Sequence, residues 1–231
     1  AVTNGKIADR AITTDKLANL ITMGPWSQLG DKTTGGSSGA TGYQEVSLSS
    51  DGTILAVGDM IDANGSLLNS GSVYIYQYNG SAWTQLGEKL IGDSSNYYFG
   101  KSVSLSSDGT ILAVGARAGG TYRGSAYIYK YNGSAWTQLG DTLNGVNTSD
   151  DFGWSVSLSS DGTILAVGAL WGNTISGSAF TYQYNGSAWS QLGEKLGPAI
   201  TDFDYFGKSV SLSSDGTILA VGASGTDRGS A

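Results

Sequence analysis

An all-β fold built from tandem four-stranded units is what the sequence predicts, on three observations. The string Val-Ser-Leu-Ser-Ser-Asp-Gly-Thr-Ile-Leu-Ala-Val-Gly occurs four times, beginning at Val46, Val103, Val156 and Val210. A second string, Tyr-Asn-Gly-Ser-Ala-Trp, ends at Trp83, Trp136 and Trp189, with a shorter version at Trp26. Glycine fills 36 of 231 positions, roughly twice the ~7% of an average protein, as suits a chain dense in turns. The Asp-Gly pairs at Asp51, Asp108, Asp161 and Asp215 stand 57, 53 and 54 residues apart, so the unit is about 53 residues long.

Each unit reads as four strands. In the second copy, residues 103–106 alternate strictly and form strand a. Residues 110–114, Thr-Ile-Leu-Ala-Val, are apolar on both faces, the pattern of a strand buried inside a sheet. Residues 127–131 place tyrosines on one face as strand c, and residues 136–139 form strand d. β-branched and aromatic enrichment favours strands over helices throughout. Asp-Gly joins a to b and Asn-Gly joins c to d. Both pairs suit a type I′ hairpin turn, with positive φ at its two central residues. Asn79, Asn132 and Asn185 also fit the Asn-Gly-Ser glycosylation pattern, but the turn already accounts for them. Four-stranded antiparallel units of this length, repeated about an axis, form a β-propeller.

Composition excludes several chemistries. With no cysteine and no histidine there is no disulfide, no thiolate nucleophile, no Ser-His-Asp triad and no His-ligated metal. A net charge of −7 with only 12 Lys and Arg argues against nucleic acid. No apolar run approaches the roughly 20 residues that span a bilayer, so membrane insertion is not expected.

The units resemble the FG-GAP repeat of integrin α-type propellers. Phe99-Gly100, Phe152-Gly153 and Phe206-Gly207 match the first half of that repeat, and Leu-Ala-Val-Gly-Ala at 165–169 matches the later part. Two departures matter. The proline of Gly-Ala-Pro is absent, and the family's calcium loop is shortened to Ser-Ser-Asp-Gly-Thr. One carboxylate in a tight turn cannot supply the 6–8 oxygens that Ca²⁺ takes, so the family's calcium sites do not carry over to these turns. The first copy has Gly42-Tyr43 in place of Phe-Gly.

Comparison among the copies locates the variable surface. The a–b and c–d turns are nearly invariant and share one end of every blade. The b–c connections (59–71, 116–124, 169–177, 223–229) and the d–a connections (31–42, 88–98, 141–151, 194–205) differ, and they share the other end. Loops held by a rigid scaffold commonly carry binding residues. Tyr97, Tyr122, Arg123, Trp171 and Asn173 are the candidates for contact with a carbohydrate or protein, since an aromatic face stacks on apolar surface while amides bind hydroxyls. Asp150, Asp151, Asp202 and Asp204 are the candidates for a cation such as calcium; no other cofactor is expected. Catalysis is not expected. No nucleophile, base and oxyanion donor assemble from these residues, and the turns lack the Ser-x-Asp-x-Gly-x-Thr-Trp spacing of sialidase Asp boxes.

Residues 1–20 hold a ten-residue repeat, Ala-Val-Thr-Asn-Gly-Lys-Ile-Ala-Asp-Arg followed by Ala-Ile-Thr-Thr-Asp-Lys-Leu-Ala-Asn-Leu. It resembles the Ala-Val-Thr-x-x-Lys-Ile-Ala-Asp repeats of bacteriophage tail fibres. That resemblance implies a shaft or connector, with Val2, Ile7, Ile12 and Leu17 as contacts in a homotrimer. The expected organisation is a segment over 1–24 and a propeller over 25–231, with 25–30 a lone outer strand. Blades are expected at 43–87, 96–140, 150–193 and, in part, 206–231. The ring is incomplete, and seven blades of this size would need roughly 370 residues, so a longer parent chain is expected. The functional expectation is a non-enzymatic virion fibre or appendage protein. A secreted or surface bacterial adhesin is the alternative, and the location is virion or extracellular.

Overall fold

The computed structural model describes residues 44–117, 123–148, 150–171, 176–197, 205–224 and 229–230. The expected shaft at 1–24, its contacts Val2, Ile7, Ile12 and Leu17, and the outer strand at 25–30 lie outside these residues.

Every regular element among the described residues is a strand. Blade one holds β1 (Gln44–Leu48), β2 (Ile54–Asp59), β3 (Ser72–Tyr78), β4 (Trp83–Gln85) and β5 (Leu90–Ile91). Blade two holds β6 (Phe99–Leu105), β7 (Ile111–Ala116), β8 (Ser125–Tyr131), β9 (Trp136–Gln138) and β10 (Leu143–Asn144). Blade three holds β11 (Phe152–Leu158), β12 (Ile164–Ala169), β13 (Ser178–Tyr184) and β14 (Trp189–Gln191). Blade four holds β15 (Ser209–Leu212), β16 (Leu219–Ser224) and β17 (Gly229–Ser230). Within a blade the order follows the chain and all pairs are antiparallel. Repetition of sequence gives repetition of register: Val46 faces Val57, Val103 faces Val114, Val156 faces Val167 and Val210 faces Val221.

Two details differ from the sequence reading. In blades two and three strand a begins at Phe-Gly rather than at the valine, with a bulge between Phe99 and Ser102 and again between Phe152 and Ser155. The outer edge also carries two pieces in the first two blades. β4 pairs with the end of β3, while β5 pairs with its start at Ser72 and Val73.

The core lies between blades. Successive first strands β1, β6, β11 and β15 run side by side, which makes them the inner strands of the array. One apolar cluster joins Ile54, Val73 and Ile75 of blade one to Phe99, Leu112 and Val114 of blade two. The next joins Ala113, Ala126 and Ile128 of blade two to Phe152, Leu165 and Val167 of blade three. Leu112 and Ala113 therefore serve opposite neighbours, which is why the second strand is apolar on both faces. Serines stitch the inner strands together: Leu105 N donates to Ser47 Oγ at 2.9 Å, Leu158 N to Ser104 Oγ at 3.0 Å and Leu212 N to Ser157 Oγ at 3.0 Å.

The turns are not type I′, because only one residue in each takes positive φ. In the a–b turn Gly109 stands at φ 70° while Asp108 does not. The Gly109 amide donates to Ser106 O at 2.9 Å, as in a type I turn closed by a glycine in the left-handed region. In the c–d turn Gly133 stands at φ 98°, which fits the first central position of a type II′ turn. Side chains replace the second strained residue. Asp108 Oδ1 accepts from Thr110 N at 2.9 Å and from Ser106 Oγ at 2.7 Å. Asn132 Oδ1 accepts from Ser134 N and Ala135 N, each at 3.0 Å.

These bonds favour the ionised form of the turn carboxylates. Asp51, Asp108, Asp161 and Asp215 all sit below the usual carboxylate value of 3.8; Asp215 is brought to about 2 by the Ser213 hydroxyl and the Thr217 amide. A carboxylate with a depressed folded-state pKa contributes stability above its unfolded value and loses it as pH falls through the folded one. Thermal unfolding followed by circular dichroism is therefore expected to show stability falling between about pH 4 and pH 2. Replacing all four aspartates by asparagine flattens that fall.

Candidate ligand face

The b–c and d–a connections occupy the end of the blades from which each inner strand starts. Two features shape this end where it is described. The first is a clamp between neighbours. Phe99 N donates to Ser70 O, Phe152 N to Arg123 O and Phe206 N to Ser176 O, at 3.0–3.1 Å, so each Phe-Gly hangs from the end of the b–c connection of the preceding blade, two residues before its third strand. The second is backbone strain. Tyr98, Asp151 and Tyr205, each immediately before Phe-Gly, take φ values of 51°, 49° and 47°. Left-handed conformation costs a residue with a side chain about 1–2 kcal/mol, and such strain persists only where the surroundings impose it.

The loop of blade one is bound to itself and to the next loop. Asp62 is buried, accepts from Tyr74 Oη at 2.9 Å and pairs with Lys89 Nζ at 3.1 Å. Burial raises the pKa of Asp59 nearby. Asn64 Nδ2 donates to Ser70 Oγ at 2.7 Å and to Gly71 O at 3.2 Å. Asn69 Nδ2 reaches across to Asn96 Oδ1 at 3.0 Å.

The expected contact residues divide three ways. Tyr97 is half-buried against the core between blades one and two, and its hydroxyl shares a hydrogen bond with that of Tyr127. Burial pushes the Tyr127 hydroxyl far above its ordinary value. Trp171 is half-buried with its ring centroid 4.9 Å from that of Tyr205, edge to face. These two aromatics are spent on packing. Arg123 is exposed, and its carbonyl accepts from the Phe152 amide. Tyr122 and Asn173 lie outside the described residues, as do Asp202 and Asp204.

Of the acids proposed for a cation, both described ones are already engaged. Asp150 Oδ2 accepts from the Asn147 amide at 2.7 Å. Asp151 Oδ2 pairs with Arg117 Nε at 3.3 Å, and burial raises its pKa against the pull of that guanidinium. Among the described residues no group of three acidic side chains converges as a metal site.

The structure adds residues that the loops did not suggest. The starts of the inner strands line an open cleft of ≈ 500 Å³, bordered by Glu45, Lys101, Trp154 and Lys208. Lys101 Nζ lies 4.4 Å from the Trp154 ring centroid, and the Arg117 guanidinium lies 5.2 Å from the same ring and 5.7 Å from that of Tyr98. Such contacts contribute roughly 0.5–2 kcal/mol each. Desolvation lowers the Lys101 pKa while the Glu45 carboxylate opposes it. The result is an indole edged by cations at the mouth of the axis, a surface able to stack on an apolar ring and to hydrogen-bond an anionic or hydroxyl-bearing group. A signal for it was present. The position after Phe-Gly is Lys101, Trp154 and Lys208 in successive copies, the one variable site in an otherwise repeated strand.

Arg117→Ala leaves Asp151 buried without its cation. A loss of about 1–3 kcal/mol at pH 7 is expected from urea unfolding. The cost shrinks below pH 4, because a carboxyl with a raised folded-state pKa is then neutral in both states.

Comparison with known proteins agrees with this architecture. Residues 142–182 match the FG-GAP repeat, a span that contains Phe152-Gly153 and runs into the third strand of blade three. No curated protein matches the sequence. A functionally unknown protein from Desulfotomaculum acetoxidans is similar in structure, with a TM-score of 0.50, 10% identity and 80% of this chain covered. TolB from Acinetobacter baumannii and the hydrazine synthase of Kuenenia stuttgartiensis each align over 80% of the chain, with TM-scores of 0.49 and identities of 12% and 13%. The chain spans 52%, 38% and 42% of those three structures, in that order. At such identity the likeness concerns fold alone. The chain is a β-propeller-type repeat protein whose residues 142–182 match the FG-GAP repeat.

Proposed function

We propose that the chain is a non-enzymatic component of a virion fibre or appendage, whose propeller presents one loop-bearing end to a host-surface carbohydrate or protein. The observation that carries this reading is the ten-residue repeat at 1–20, with its likeness to phage fibre shafts. The geometry supports it from the other side. Variation among the repeats gathers at the end that bears the cleft, and Trp154 with Lys101 and Lys208 offers a stacking and cationic surface there. Saccharides bearing carboxylates or sulfates fit that chemistry better than neutral ones. Assembly as a homotrimer through Val2, Ile7, Ile12 and Leu17 belongs to the same reading.

Binding of the 231-residue chain to a panel of purified bacterial surface polysaccharides, read by biolayer interferometry, tests it. Retention on at least one acidic polysaccharide is expected, with Trp154→Ala weakening it about tenfold or more, as loss of a stacking contact implies. No binding to any member, an unchanged signal in the variant, or release of oligosaccharide products contradicts it.

A further inference from the structure

Two cations share one indole on the loop-bearing end, and neither is fully engaged there. Lys101 Nζ lies 4.4 Å from the Trp154 ring centroid, and the Arg117 guanidinium lies 5.2 Å from it. Lys101 and Trp154 follow Phe-Gly in blades two and three, and Arg117 directly follows β7 of blade two. Both blades have a described blade on each side, so the cluster owes nothing to an open edge of the array. Arg117 reaches Asp151 Oδ2 through Nε alone, at 3.3 Å. Among the described residues its two Nη groups donate to no acceptor, and Lys101 Nζ makes neither an ion pair nor a hydrogen bond. Glu45 attracts Lys101 without pairing with it, and it is exposed. Burial is the main cause of the lowered Lys101 pKa and repulsion from Arg117 adds to it, so the two positive charges stand near each other. Lys101, Arg117 and Trp154 are all half-buried, open to solvent yet in a setting where charge acts more strongly than in water.

The other blades show that charge is not needed to join neighbours at this place. Arg117 and Asp151 occupy the positions held by Met60 and Tyr98 between blades one and two, and by Leu170 and Tyr205 between blades three and four. Met60 and Leu170 are buried. A buried ion pair adds little over a well-packed apolar pair. Packing therefore does not explain why a charged pair replaces an apolar one beside Trp154, whereas a ligand that meets the two cations does.

We infer that Lys101 and Arg117 form, beside Trp154, a subsite for one oxyanion of the ligand, the carboxylate or sulfate ester of an acidic saccharide, and that Asp151 is the internal anion competing with it for Arg117. This rests on the saccharide-binding role proposed above. The guanidinium Nη groups match two oxygens of such a group. Lys101 supplies the second charge, and the sugar ring stacks on the indole. Asp151 holds Arg117 in place and offsets part of its charge, so its carboxylate sets how strongly the subsite attracts a ligand.

Heteronuclear NMR of the isotope-labelled 231-residue chain tests this. The indole N–H signal of Trp154, assigned by its loss in Trp154→Phe, is followed while sodium glucuronate, a sulfated glucose or glucose itself is added at fixed ionic strength. At least one of the two anions is expected to move the signal saturably, and glucose is not. Lys101→Gln weakens that response about fivefold, as loss of a charge-assisted hydrogen bond implies. Asp151→Asn strengthens it about threefold by removing the competing charge, and asparagine tolerates the positive φ of that position. No saturable shift with either anion, an equal shift with glucose, or an unchanged affinity in either variant overturns the inference. Retention on an acidic polysaccharide that ignores both substitutions would remove the subsite and leave the fibre reading standing; binding of the probes with no polysaccharide retained would do the opposite.

Discussion

The structure depends on the approach of one backbone to another at the inner edge of each pair of blades. Gly58, Gly115 and Gly168 end the repeated Leu-Ala-Val-Gly string, and each lies against the Gly of the next Phe-Gly, at Gly100, Gly153 and Gly207. A methyl group at Gly115 would overlap the carbonyl oxygen of Gly153. With both side chains absent, Ser102 Oγ donates to Gly153 O at 3.0 Å and Ser155 Oγ to Gly207 O at 2.9 Å. This closeness lets the flanking Phe99 and Phe152 reach full burial against the tyrosines and Phe180 of their own third strands. The apolar clusters that hold blades together therefore rest on glycine pairs that contribute no apolar surface themselves.

The same constraint positions the loop end. Phe-Gly is fixed on one side by the glycine contact and on the other by the carbonyl of the preceding blade, so the residue before it is forced to positive φ. The residue after it enters the axial cleft. Variation at that last position changes the chemistry of the axis without disturbing the interface, and the chain places lysine, tryptophan and lysine there. Aromatic and acidic residues elsewhere in the loops are largely absorbed by packing and pairing: Tyr97 by Tyr127, Trp171 by Tyr205, and Asp151 by Arg117.

Much of the fold was legible in the sequence because repetition turns one chain into several readings of the same unit. The Val-Ser-Leu and Leu-Ala-Val runs fall on strands in register in all four blades, and in the first three the apolar second strand is buried as its pattern implies. What was not legible is tertiary. Asp-Gly and Asn-Gly suit type I′ turns, yet Asp108 and Asn132 reach the following amides with their side chains and leave only the glycine at positive φ. Tyr97 and Trp171 have the composition of ligand residues, and nothing local to them reveals that Tyr127, thirty positions away, and Tyr205 stand ready to cover them. The cationic rim around Trp154 is assembled from separate blades, so no single segment announces it.

Stability of glycine-to-alanine variants tests most directly whether backbone contact between blades governs the fold. Gly115 and Gly197 both lie outside the positive-φ region; a methyl at Gly115 meets the Gly153 carbonyl, whereas at Gly197 it meets nothing closer than 3.6 Å. In urea unfolding, Gly115→Ala is expected to lose about 1–3 kcal/mol or more, the range for forcing extra volume into a packed interior, while Gly197→Ala stays within about 0.5 kcal/mol of the parent. Equal stability of the two variants would contradict the account.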